Sequence, residues 1–140
     1  MHSRLGWGVF WSLLAVFLFT VASILTPALG AFVSLGILRL APALLLLPLG
    51  VALVVLIERE GVRRRERFFL LLTGLAAASR PVFVLLHGLV YTLASYVLGA
   101  ELWVRTRLED EPVFFVLALV VCPIVFLVGA IGTLVLAWER

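Results

Sequence analysis

Seven residues separate Arg80 from His87, and eleven separate it from Tyr91. At about 100° per residue in a helix, both steps return to within ~20° of the starting face, one on either side. Ser95 lies ~60° round. Arg80, His87, Tyr91 and Ser95 therefore form one polar stripe on a segment that is otherwise strongly apolar. An imidazole in such a setting can ligate a haem b iron, donate a hydrogen bond to a quinone, or relay a proton. It can equally bond a carbonyl or hydroxyl on a neighbouring helix, a purely architectural role. Ionisable groups inside membranes are rare and usually face a bundle interior or a water-filled cavity, so this stripe is the first place to look for function.

The surrounding residues narrow these chemistries. Haem ligation by two histidines needs a second imidazole, and the other histidine is His2, at the chain start. A haem b or a quinone would therefore need a partner, and the sequence requires no cofactor. The Ser, Arg, His and Tyr of residues 79–95 resemble, in residue types, membrane anchors of succinate dehydrogenases, which implies a quinone; no diagnostic motif accompanies the likeness. The apolar stretches contain no Asp or Glu, unless Glu101 is counted at the edge of one, which speaks against proton- or cation-coupled transport. There is no nucleophile–base pair, paired carboxylates, phosphate-cradling glycine loop, CxxC or HExxH. An enzyme acting alone is not expected, and no metal site is.

Two sets of small residues predict how helices pack. Gly88, Thr92, Ser95 and Gly99 follow one another at steps of four, three and four, beside the polar stripe. Ala118, Cys122, Gly129 and Thr133 make a second small face. Small residues let helices approach closely in lipid. The spacing predicts a central third helix, with His87 and Tyr91 inward and Gly88 and Gly99 against a neighbour. Cys122 is the sole cysteine, so no disulfide forms within the chain. Arg63, Arg64, Arg65 and Arg67 read as a headgroup and topology anchor, with lipid-specific or partner docking as the lesser reading. Arg80 reads as an interfacial cation whose side chain snorkels to the headgroups.

These residues need elements to carry them. Hydrophobic residues make up 64% of the 140 and charged residues 14%, against roughly 45–50% and 25% in soluble domains. So small a core cannot hide that excess; lipid must be its solvent. All eleven cations are Arg, and five of them fall within residues 59–67. Anionic headgroups explain that cluster better than nucleic acid does. The first span is expected at residues 7–25, with Trp7 and Trp11 in its first turns and Thr26-Pro27 closing it. Cleavage as a signal peptide at Ala28-Leu29-Gly30-Ala31 is not expected, because the preceding apolar stretch exceeds the usual ~7–15 residues. The second span, 40–57, contains Pro42 and Pro48. Either it is the end of one long kinked helix carrying Arg39 in its outer third, or a short interfacial piece precedes it.

Residues 58–67 form an Arg-rich loop turning at Gly61. The next 11 apolar residues, 68–78, are too few to cross a core of ~30 Å and read as an interfacial or re-entrant segment. Ser79-Arg80-Pro81 then looks like a fresh helix start, with Ser79 as cap and Pro81 in the first turn. The third span is expected at 81–103. Glu109-Asp110-Glu111-Pro112 signals the fourth, at 112–138, kinked at Pro123. With the N-terminus inside, seven Arg fall on the cytoplasmic side and three outside, which fixes the orientation by the positive-inside rule.

The expectation is thus one all-α domain over residues 1–140: an integral membrane bundle of four transmembrane helices, multi-pass in the cell membrane, both termini cytoplasmic. Its expected role is that of a small accessory or anchor subunit of a larger membrane complex, bound to other membrane subunits or to itself. The alternatives are a homo-oligomeric channel or transporter using the Arg80/His87/Tyr91 face, and a haem- or quinone-binding anchor of an electron-transfer complex.

Overall fold

In the computed structural model the chain is all-helical, and residues 4–26, 37–99, 101 and 112–139 are described. Among the described residues four long helices follow in order: α1 (Arg4–Leu25), α2 (Ile37–Glu60), α3 (Arg64–Leu98) and α4 (Pro112–Trp138). Three of them, α1, α3 and α4, are long and apolar enough to cross a membrane.

Each helix buries a narrow stripe. In α1 Phe10, Leu13 and Phe17 face inward, at the three- and four-residue steps of a single helical face. Phe17 stacks on Phe126 of α4 with ring centroids 4.0 Å apart, which brings the first helix against the last. Leu46, Leu53 and Ile57 of α2 meet Leu70, Ala76 and Ala77 of α3 in the same core. The apolar residues on the outer faces are exposed, as lipid-facing positions are.

Close helix contacts are set by glycines. A Cβ at Gly50 would stand 2.6 Å from the Gly74 carbonyl oxygen and 2.8 Å from the Ala78 nitrogen, so α2 and α3 touch backbone to backbone. At the α3–α4 crossing a Cβ on Gly129 would lie 2.5 Å from Thr73 Oγ1 and 2.7 Å from the Phe69 carbonyl, and one on Gly132 would meet the Phe69 ring. The buried hydroxyls here are satisfied within their own helices: Thr73 donates to the Phe69 carbonyl and Thr133 to the Gly129 carbonyl, both at 2.9 Å.

Between α2 and α3, Gly61 turns the chain with φ +58°, the left-handed conformation glycine adopts without strain. Arg67 Nη2 donates to both Glu58 carboxylate oxygens at 2.7 Å, tying the ends of the hairpin together.

The structure corrects the expected break before residue 79. Residues 68–78 are not a separate segment; they lie within the continuous α3, which runs unbroken through Ser79, Arg80 and Pro81. Leu70, Thr73, Gly74, Ala76 and Ala77 make this the most buried part of the helix. Ser79 does not cap: its hydroxyl donates backward to the carbonyls of Leu75 (2.6 Å) and Ala76 (3.3 Å). Pro81 withholds one N–H from the helix, and packing against α2 and α4 holds the helix together across that gap. The other end also differs from the expected 81–103, since α3 stops at Leu98 and Gly99 takes φ +82°. Trp103 lies outside the described residues.

Pro42 and Pro48 likewise sit inside a continuous α2, which begins at Ile37; residues 27–36 lie outside the described residues. In α4, Leu117–Val121 is a turn of π-helix, in which the Cys122 N–H bonds to the Leu117 carbonyl five residues back. Pro123 comes one residue after Cys122, and the wider turn accommodates the N–H it lacks.

Candidate functional site

The continuity of α3 moves the polar stripe to a new depth. The charged hairpin end is marked by Arg64 to Arg67, and Arg80 lies 13 residues beyond Arg67, about 20 Å along the helix. His87 lies 20 residues beyond it, about 30 Å, the thickness of a hydrocarbon core. His87 therefore lies about 30 Å along α3 from the hairpin's charged end, rather than the ~10 Å from the helix start that a helix beginning at Ser79 would give. Arg80 is likewise farther from the start of its helix than the sequence suggests, and its Cα–Cβ bond tilts toward the helix N-terminus, the hairpin side.

Arg80 is half-buried, and its Nε and Nη1 atoms are wholly buried without a hydrogen-bond partner. Pro81 leaves the Ala77 carbonyl without its helical donor, yet neither nitrogen bonds there. Beside it, Ser79 Oγ is 3.7 Å from Cys122 Sγ on α4. Two prolines, a π-turn, a hydroxyl, a thiol and a cation thus converge on one level of the α3–α4 crossing.

Further along, the stripe follows α4. Phe83 and Phe114 stack at 6.2 Å, and the half-buried His87 ring lies 5.7 Å from that of Phe115, tilted by 49°. Tyr91 is 39% exposed and Ser95 half-buried. The structure brings Arg80 and His87 to the α4 side; it does not enclose Tyr91.

The two small faces have opposite fates. Ala118, Cys122, Gly129 and Thr133 are all buried. Gly88 and Gly99 are not against a neighbour: a Cβ at either would meet nothing within 4 Å among the described residues. Thr92 is exposed, its hydroxyl turned back to the Gly88 carbonyl at 2.8 Å. The closest helix contacts use Gly129 of that predicted face together with Gly50, Gly74 and Gly132, which the sequence reading passed over. The spacing of Gly74 from Ala78 carried a signal for one of them, hidden inside a segment assigned to the membrane surface.

At the hairpin end, Arg64, Arg65 and Arg67 rim an open groove of about 670 Å³ walled by Phe68, Phe69 and Leu71. Arg63 joins Arg65 and Glu66 beside Leu136 of α4 and Glu139, which follows that helix. Guanidiniums over an apolar wall suit the headgroup region of a bilayer. No group of three or more His, Cys, Asp or Glu side chains gathers to hold a metal ion among the described residues, and His2 lies outside them. Comparison with known protein families, with characterised proteins and with solved structures finds no match.

Proposed function

We propose that this chain is a small accessory subunit of a larger membrane assembly, non-enzymatic, with four spans and both termini in the cytoplasm. In this reading α2 crosses alongside the other three, and the Arg-rich hairpin lies at the cytoplasmic face. The observation that carries the proposal is the unequal use of small residues along α3. Gly74 seats α2 at backbone contact and Thr73 receives Gly129 of α4, whereas Gly88 and Thr92, further along, offer an equally open approach that nothing in the described fold occupies. Packing between small faces is a main source of helix association in lipid, where hydrophobic burial gives no net drive. The open stretch is where a partner's helix would seat.

The test is purification in mild detergent, comparing wild type with Gly88→Leu and Thr92→Leu. Both variants should keep the wild-type melting temperature, since among the described residues a Cβ at Gly88 meets nothing and Thr92 is exposed, while the co-purifying partner is lost. A wild-type protein that elutes at its own mass, without a partner, defeats the proposal. An assembly made only of copies of this chain would favour a homo-oligomeric channel through the Arg80/His87/Tyr91 face instead.

A further inference from the structure

The groove at the hairpin end has a cationic rim and an apolar wall. Arg64, Arg65 and Arg67 form the rim, and Phe68, Phe69 and Leu71 wall a space of about 670 Å³. Arg67 is committed to Glu58, donating to both of its carboxylate oxygens. Arg64 and Arg65 are exposed, and neither joins an ion pair among the described residues. Past the rim the chemistry changes at once, since residues 68–79 carry no charge. The Phe69 ring is seated where a Cβ on Gly132 of α4 would stand. Phe68 meets that ring edge-on at 5.5 Å and remains 59% exposed. Arg64, Phe68, Leu71 and Leu75 follow at steps of four, three and four, one line along the helix, and Leu75 is exposed. From Arg64 to Leu71 is about 10 Å, more than the roughly 5–8 Å of headgroup layer on either side of a bilayer core. With α3 across a membrane, the groove runs from headgroup level into hydrocarbon.

We propose that this groove is a site for one anionic phospholipid, its phosphate held between Arg64 and Arg65 and an acyl chain laid along Phe68, Leu71 and Leu75. A guanidinium offers phosphate a planar fork of donors. Charge complementarity selects the occupant. A zwitterionic lipid brings the same phosphate but sets its own cation against the rim, and a soluble acidic segment leaves the apolar track unused. The hairpin's five arginines against three glutamates account for attraction to any negative surface; the groove adds a seat for a single molecule. The proposal requires that α3 crosses a membrane and does not rest on the accessory role.

The experiment uses the full chain in a mild non-ionic detergent at about 0.15 M salt, where exposed charges more than ~8 Å apart are largely screened. Native mass spectrometry reads which lipid is retained from an equal mixture of phosphatidylglycerol and phosphatidylcholine. One phosphatidylglycerol per chain should remain bound, preferred about tenfold. Arg64→Gln with Arg65→Gln should weaken its binding about twentyfold. Arg59→Gln with Arg63→Gln removes the same charge from the same hairpin outside the groove, and should weaken it no more than about twofold. Phe68→Ser leaves the charge unchanged and should weaken it about fivefold. Circular dichroism melting confirms that each variant is folded. Equal losses from the two arginine pairs would reduce the site to diffuse attraction and overturn the proposal, as would equal retention of both lipids by wild type. Excess glycerol phosphate, the headgroup chemistry without its chains, should leave the lipid in place. Displacement by glycerol phosphate would mean a free-phosphate site, and displacement by a hexaglutamate peptide an acidic protein partner; either overturns the lipid assignment.

Discussion

At the residue scale, two kinds of position carry the fold and the candidate site. Gly50 is fixed by contact, because any Cβ there runs into backbone atoms of α3, which cannot swing aside as a side chain can. Gly50→Ala should therefore destabilise by about 1–3 kcal/mol, read as a lowered midpoint in thermal or denaturant melting of the detergent-solubilised protein; an unchanged midpoint would mean the α2–α3 crossing is looser than described. His87 is fixed more loosely, half-buried against Phe115. If its role is to bridge hydrogen bonds at the α3–α4 edge, His87→Gln should preserve assembly and melting, since an amide both donates and accepts. His87→Leu should lower both. Loss of assembly or activity in a normally melting His87→Gln protein would assign the imidazole to ligation or proton transfer instead.

At the scale of elements, α3 is where sequence and structure part. The start of α4 at Pro112, the end of α1 before Pro27 and the turn at Gly61 were legible, because each rests on local chemistry: a proline, or a glycine at positive φ. Ser79-Arg80-Pro81 carries the same local grammar, yet the helix runs through it. What decides there is non-local: Gly74, Ala76 and Ala77 are packed between α2 and α4, and that packing outweighs the one hydrogen bond Pro81 withholds. The face shared by Arg80 and His87 was legible from spacing alone, since angle depends only on residue count. Its depth was not, since depth is measured from the helix start. Cysteine scanning in a Cys122→Ser background distinguishes the two arrangements. With α3 crossing from Arg64, a cysteine at Leu75 or Leu85 should resist a membrane-impermeant maleimide, while one at Arg64 should label. Ready labelling at Leu75 from the hairpin side would restore a surface segment.

At the scale of the whole molecule, the proposed topology places one charged end of the bundle in the cytoplasm. The hairpin gathers Arg59, Arg63, Arg64, Arg65 and Arg67 within nine residues, and cytoplasmic Arg is the determinant that orients small polytopic proteins. A reporter fused after Arg140 and one inserted near Arg65 should both read cytoplasmic, and one near Asp110 external. A cytoplasmic reading at Asp110 would remove the fourth crossing. The same cluster should hold anionic lipid: bilayers containing phosphatidylglycerol should retain the protein's melting temperature better than pure phosphatidylcholine, and Arg64→Gln with Arg65→Gln should erase the difference.

The π-turn at Leu117–Val121 has a consequence for how the two halves of α4 are geared. One extra residue is wound into that turn, so everything before it is offset by ~100° from the phase that Cys122, Phe126, Gly129 and Thr133 would dictate. Phe114 and Phe115 meet Phe83 and His87 by virtue of that offset. Removing a single residue from the turn would let α4 wind as an ordinary helix throughout, leaving the half beyond Cys122 seated on Gly129 and Thr133 while rotating the aromatic pair away from His87. The surroundings of the imidazole are thus tied to the length of the chain at that turn as much as to the identity of any side chain beside it.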